Sequence, residues 1–217
     1  MGACAASASE TFSSLISTVR APIAAFLQGL TLLAQNKLDP AANAFRGAMR
    51  ASPDFYPAMV YLGACYAAAG NDKEAAGAWR TALIREGDAA PLHLLLADAF
   101  LRQGRGDLAL QTLQDARTRW PEDTALKQRY VLASLQAGQY VDGLQTVDEL
   151  VDKQVVDDAS LALALLVLYE SIVNGPPVQS IEQDRARMTR LADVYRSHGG
   201  PSVALVDTWV AAAMRKQ

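Results

Sequence analysis

Residues 56–89 read YPAMVYLGACYAAAGNDKEAAGAWRTALIREGDA, and the next 34, residues 90–123, read APLHLLLADAFLRQGRGDLALQTLQDARTRWPED. Laid one above the other, they share glycine at 70 and 104 and alanine at 75 and 109 and at 82 and 116. Trp79 and Leu113 are the matching bulky apolar pair. The register extends both ways. Upstream, Gly29, Ala41, Phe45 and Ala48 stand 34 residues before Gly63, Ala75, Trp79 and Ala82. Downstream, Gly138 and Val147 continue the series of Gly104 and Leu113, with Gly143 where alanine stood before. Glycine supplies only 14 of 217 residues, so three in register beside four agreeing series mark an internal repeat.

Each shared residue has a job in a helix-turn-helix hairpin. Gly70, Gly104 and Gly138 sit where a first helix must end in a left-handed residue. Asp39-Pro40 is expected to open the following helix with a side-chain cap and a pre-set φ, and Asn71-Asp72 and Gly106-Asp107 hold the matching place. Small residues at Gly29, Gly63 and Ala97, and at Ala41, Ala75 and Ala109, let paired helices approach closely, with Phe45, Trp79 and Leu113 filling the space beside them. Pro53 and Pro121 stop the second helices. Every hairpin leaves an apolar edge that only the next can cover, which makes the array a solenoid.

These residues resemble the tetratricopeptide repeat family. The fullest match is residues 56–89, through Leu62, Gly63, Tyr66, Gly70, Ala75, Trp79 and Ala82. Residues 90–123 match through Leu96, Ala97, Phe100, Gly104, Ala109, Ala116 and Pro121. Residues 22–55 have Leu32 where an aromatic is usual, and residues 124–157 are degenerate, with Gly143 and Leu150 in place of two alanines. The resemblance implies an all-α, right-handed α-solenoid of four repeats over 22–157. Residues 1–21 precede it as a partly disordered segment or one short helix, and residues 158–217 close it as a helical cap. Within that cap, helices are expected over Ala159–Val173, Ile181–Ser197 and Pro201–Arg215. The cap also loosely resembles the carboxyl ends of bacterial exported proteins that place such repeats after a von Willebrand A-like domain.

Composition supports helix and narrows function. The chain holds 40 Ala and 28 Leu against 15 Val and 5 Ile, a balance that favours helices over strands. A net charge of −3 offers no broad basic field for a phosphate backbone, so no nucleic-acid partner is expected. The longest apolar run, Leu161–Tyr169, is nine residues, against roughly 20 for a spanning helix, so no membrane insertion is expected. The start lacks the Ser or Thr of a myristoylation motif, having Ala6, and shows no signal peptide before Cys4. These residues leave the compartment open: a soluble protein is expected, cytoplasmic or, if a signal was removed, periplasmic.

No catalytic, cofactor or metal motif is present. There is no phosphate loop, dinucleotide fingerprint, HExxH or CxxC, and His93 and His198 have no second ligand at metal spacing. Neither enzyme activity nor a cofactor is expected. Cys65 reads as a small buried hydrophobe. The acidic run Asp142, Asp148, Glu149, Asp152, Asp157 and Asp158 reads as a solvated face or a site for a basic partner. Arg185, Arg187, Arg190 and Arg196 are spaced to pair with Glu182, Asp184 and Asp193 along their own helix.

Function then falls to the inner face. In the family, fixed positions of each first helix line a groove. Carried onto this chain, the fifth positions are Phe26, Val60, Leu94 and Gln128, and the ninth are Leu30, Ala64, Asp98 and Leu132. The twelfth include Leu33, Leu101 and Leu135, and the thirteenth include Arg102. Apolar Phe26, Leu30 and Leu94 replace the basic and amide residues of a carboxylate clamp. The resemblance therefore implies a protein or peptide partner that supplies an apolar or amphipathic segment. The alternative is a regulatory or assembly module of a larger protein, its groove filled by Thr11–Val19 or the tail, or in a homodimer.

Overall fold

The computed structural model of the chain describes residues 20–86 and 89–216. Every regular element among them is a helix. The first, α1, covers residues 20–34. It is followed by α2 (Leu38–Ala51), α3 (Tyr56–Ala68), α4 (Asp72–Glu86), α5 (Ala90–Arg102) and α6 (Gly106–Arg119). Then come α7 (Thr124–Gln136), α8 (Tyr140–Asp152), α9 (Asp158–Asn174), α10 (Ile181–Ser197) and α11 (Val203–Arg215). The chain divides into two compact units, Met1–Ala99 and Phe100–Gln217, with the boundary inside α5.

One backbone device reverses the chain after each first helix. Gly70, Gly104 and Gly138 have φ of 78°, 70° and 78°. The amide that follows each donates back five residues, Asn71 to the Tyr66 carbonyl (2.8 Å), Arg105 to Phe100 (2.9 Å) and Gln139 to Ser134 (2.8 Å). This satisfies a carbonyl that the helix end leaves orphaned. The first hairpin makes the same turn without glycine. Asn36, 34 residues before Gly70, has φ 57°, and Lys37 donates to the Leu32 carbonyl at 2.9 Å. Asparagine tolerates the left-handed region better than other side-chain-bearing residues. Gln154, ending α8, adopts it too, also with φ 57°.

The expected cap at Asp39 is not made. α2 starts two residues earlier, at Leu38; its N-cap is Lys37, with no side-chain cap bond, and the Lys37 carbonyl accepts from Ala41 at 3.0 Å. The left-handed turn delivers the chain directly into the helix, so Asp39 falls inside the first turn, where it faces the positive end of the helix dipole. α6 likewise enters through Arg105 without a side-chain cap, and the Arg105 guanidinium instead holds the Asp107 carboxylate at 3.1 Å. Side-chain caps occur at α7, α9 and α10, where the chain does not pass directly from a left-handed residue into the helix. Asp123 accepts from Leu126 (3.0 Å), Asp157 from Ser160 (3.0 Å) and Ser180 from Gln183 (3.2 Å).

Close approach of the paired helices explains the small-residue series. A Cβ on Gly63 would lie 2.4 Å from Trp79 Nε1, and one on Gly29 would lie 2.5 Å from Phe45 Cε1. Trp79 uses the gap to donate its indole N–H to the Val60 carbonyl at 3.0 Å. Ala41, Ala48, Ala75 and Ala82 are all fully buried around these rings. Gly143 answers to the same constraint in the second unit. Its Cβ would lie 2.7 Å from Leu135 Cδ2 and 2.8 Å from Ser134 Oγ, so the alanine of the other repeats does not fit. Leu135 itself is buried, at 3% exposed.

Stacking continues past the loss of the 34-residue period. Within the second unit α9 packs on α7 and α8, α10 pairs with α9, and α11 lies against both α9 and α10. The core joins Leu161, Leu165, Leu168 and Ile172 of α9 to Met188, Leu191 and Tyr195 of α10 and Val206 and Ala213 of α11. Trp209 stacks on Tyr169 with ring centroids 5.7 Å apart.

Gly104→Ala meets no neighbour within 4 Å and should lose about 1–2 kcal/mol from backbone strain alone. Gln154→Gly should gain about 1 kcal/mol by relieving the same strain. Gly63→Ala should lose about 1–3 kcal/mol by overpacking, and part of that loss should return when Trp79 is also made Leu. Urea denaturation of the variants measures all three.

Candidate interaction surfaces

Phe26, Leu30 and Leu33 stand on α1, Val60 and Ala64 on α3, Leu94, Asp98, Leu101 and Arg102 on α5, and Gln128 on α7. None of the ten is buried: Arg102 is exposed and the rest are half-buried. The apolar residues of the second helices behave oppositely, with Phe45 0% and Trp79 2% exposed. Seven of the ten, from Phe26 to Asp98, belong to the first unit. Leu101, Arg102 and Gln128 belong to the second. Gln128 spends its side-chain amide on the Val155 carbonyl, at 2.7 Å, and so fixes the α8–α9 connection. The stretch Thr11–Val19 lies outside the described residues.

The first unit adds aromatic residues that the repeat positions did not predict. Phe26 meets Phe55 edge-on at 5.3 Å and Tyr61 at 5.5 Å, and Tyr61 stacks on Phe45 at 5.7 Å between ring centroids. Such pairs contribute roughly 0.5–1.5 kcal/mol beyond their burial. Tyr61 nevertheless remains 38% exposed, and Ile23 and Leu27 on α1 are 43% and 56% exposed. Phe26, Phe55 and Tyr61 thus form an aromatic cluster that stays partly open, and Ala64 is half-buried on the same helix as Tyr61. In sequence the only sign of Tyr61 was its place directly after Val60.

Charges are arranged differently from the sequence reading. Arg187 does not pair along its own helix but donates to Asp148 of α8 at 3.0 Å. Arg190 bonds Asp152 and also lies 3.5 Å from Asp148. Asp157 caps α9 and lies 3.7 Å from Arg129, while Asp158 meets His198 at 3.2 Å. Four members of the acidic run therefore already have partners in the chain, which leaves little of it to attract a basic protein. Arg196 does keep its expected neighbour Asp193, at 2.6 Å, and adds Asp207 at 2.7 Å. The spacing along α10 could not reveal that α8 would present two carboxylates to it.

Cys65 is buried, and burial pushes its thiol above the ordinary cysteine range, away from the reactive thiolate. Among the described residues no group of His, Cys, Asp and Glu is placed to hold a metal ion. Among them, too, no helix is long and apolar enough to cross a membrane.

A sequence profile of the tetratricopeptide repeat matches residues 26–91, 73–124 and 94–157, more than half of the chain. The chain belongs to the tetratricopeptide repeat family. Its fold agrees with solved members. YrrB, described as a TPR protein with an unusual peptide-binding site, aligns with a TM-score of 0.68 at 17% identity, over 86% of this chain and 93% of its own. MamA from Desulfovibrio magneticus RS-1 aligns with a TM-score of 0.67 at 14% identity, over 81% of this chain and 96% of its own. PilF of Pseudomonas aeruginosa aligns with a TM-score of 0.63 at 18% identity, over 91% and 90%. At these identities the likeness concerns the fold. No curated protein sequence gives a significant match. Tetratricopeptide repeats are in general non-catalytic platforms for protein–protein interaction, and this chain carries that scaffold.

Two outcomes follow from the polar and thiol contacts. Arg187→Ala should cost about 1–2 kcal/mol, because it removes the less exposed of the two guanidiniums beside half-buried Asp148 and leaves only Arg190 at 3.5 Å, whereas Arg85→Ala, whose partner Asp54 is well exposed, should leave the midpoint unchanged in thermal unfolding. Cys65 should resist iodoacetamide at pH 8 in the folded chain and react once urea unfolds it, as read by peptide mass spectrometry.

Proposed function

We propose that this protein is a non-catalytic scaffold whose first unit docks an apolar or amphipathic segment of a protein partner. The observation that carries the reading is the contrast between paired helices. Phe26, Leu30, Leu33, Val60, Ala64 and Leu94 on the first helices stay partly open, while Phe45 and Trp79 on the second helices are sealed. An apolar face left open on a rigid scaffold is the usual mark of an interaction site. Packing of Phe26 against Phe55 and Tyr61 holds part of that surface in place before any ligand arrives, which lowers the ordering cost of binding. Ala64 leaves room for the ligand's own side chains, as an amphipathic helix laid in a groove requires. Peptide binding by a protein of the same fold, YrrB, is consistent with this use.

The test compares the wild-type chain with a Val60→Glu/Leu94→Glu variant of equal helicity by circular dichroism. Used as baits on a lysate of the source organism, wild type should retain a specific protein at least tenfold better than the variant. Equal capture by both, or by neither, removes the first-unit face as the docking surface. Sedimentation of the two samples separates a partner from a homodimer, since a dimer lost in the variant would assign the face to a second copy.

A further inference from the structure

A cavity of about 670 Å³ lies within the second unit, between the start of α8, the second half of α9 and the turn that leaves α9. Its size falls in the range of ligand sites. Val141, Leu166 and Val167 give it apolar walls, and Tyr140 opens onto it with 42% of its surface exposed. Val141 is 48% exposed, so an apolar patch continues from the cavity to the surface.

The wall formed by the turn after α9 is tied down at every step. Gly175 N–H donates to the Glu170 carbonyl at 3.0 Å, and Ser171 Oγ donates to the Pro176 carbonyl at 2.8 Å. Val178 N–H donates at 2.7 Å to Asp184, a fully buried carboxylate on α10. Pro176 and Pro177 remove further backbone freedom. The cavity is therefore preorganised, and a ligand entering it need not order the turn. This turn is also the insertion that breaks the 34-residue period, so no earlier hairpin of the chain has a counterpart.

Among the described residues, Glu170 is the one charged side chain lining the cavity. Asn174 Nδ2 donates to its Oε2 at 2.7 Å and so orients the carboxylate. An apolar hollow with a single oriented negative charge and an exposed tyrosine ring at its edge complements an apolar group attached to a cation. We propose that this cavity is a second docking site, which takes a peptide segment of a protein partner carrying an aliphatic or aromatic side chain beside an arginine or lysine. The apolar side chain sits against Val141 and Val167, and the cationic group pairs with Glu170 beside the Tyr140 ring.

The experiment selects peptides from a phage-displayed library of random dodecamers on the full chain, then measures the affinity of the enriched peptides for the chain and its variants by fluorescence anisotropy. Val141→Asp and Glu170→Gln alter exposed side chains, and circular dichroism verifies that both variants stay folded. The expected result is a set of peptides with Arg or Lys near an aliphatic or aromatic residue, weakened at least tenfold by Val141→Asp and at least threefold by Glu170→Gln. Replacing the basic residue of such a peptide by Gln should weaken binding to wild type threefold and leave binding to Glu170→Gln unchanged. Failure to enrich any peptide overturns the proposal. So do peptides indifferent to both substitutions, or peptides lost only with Val60→Glu, which would belong to the first unit.

Discussion

In the second hairpin of this chain the Trp79 indole occupies the volume that a side chain on Gly63 would take, and it donates to the backbone of the helix it leans on. In the first hairpin Phe45 stands against Gly29 in the same way. This contact sets how closely the two helices of a hairpin approach and which faces are sealed between them. Everything outward of it follows. The second helix commits its bulky residue to the seam, and the first helix is left with partly open apolar positions for use by something else.

A second constraint acts between the helices of a hairpin rather than across them. The left-handed residue at 36, 70, 104 or 138 lets the next amide return to a carbonyl five residues back, and the chain enters the following helix without a side-chain cap. The two devices work at different levels. The turn is local backbone chemistry, satisfied wherever a residue tolerates positive φ, whereas the seam depends on two residues 16 apart in sequence fitting one another in space. Where the chain does not run directly from a left-handed residue into the helix, as before α7, α9 and α10, a capping Asp or Ser accepts from an amide at the helix start.

The tail shows how the architecture adapts when the repeat is interrupted. The longer turn between α9 and α10 removes the 34-residue spacing but keeps the stacking, because a buried Asp184 anchors the inserted backbone. Ion pairs between Asp148, Asp152, Arg187 and Arg190 link α10 to α8 across side chains. The same insertion creates the preorganised hollow beside Glu170, so the departure from the repeat supplies a feature that the regular hairpins lack.

The sequence by itself determined the all-helical repeat, because its evidence is local and periodic. Glycine at 70, 104 and 138, the proline stops and the bulky series at Phe45 and Trp79 each report a constraint that acts within one hairpin. The repeat register also put Phe26, Val60 and Leu94 on the first helices of their hairpins, where they are half-buried. Only the tertiary structure decided the rest. The glycine series alone did not reach Asn36, which takes the same left-handed turn, and Gly143 became intelligible only beside Leu135 and Ser134. Arg187 and Arg190 match acidic neighbours on their own helix equally well in sequence, and their choice of α8 depended on which helices came to lie side by side. The physical reason is range: backbone and hairpin constraints are written within about one repeat, while charge partners and cavities arise from residues brought together across several.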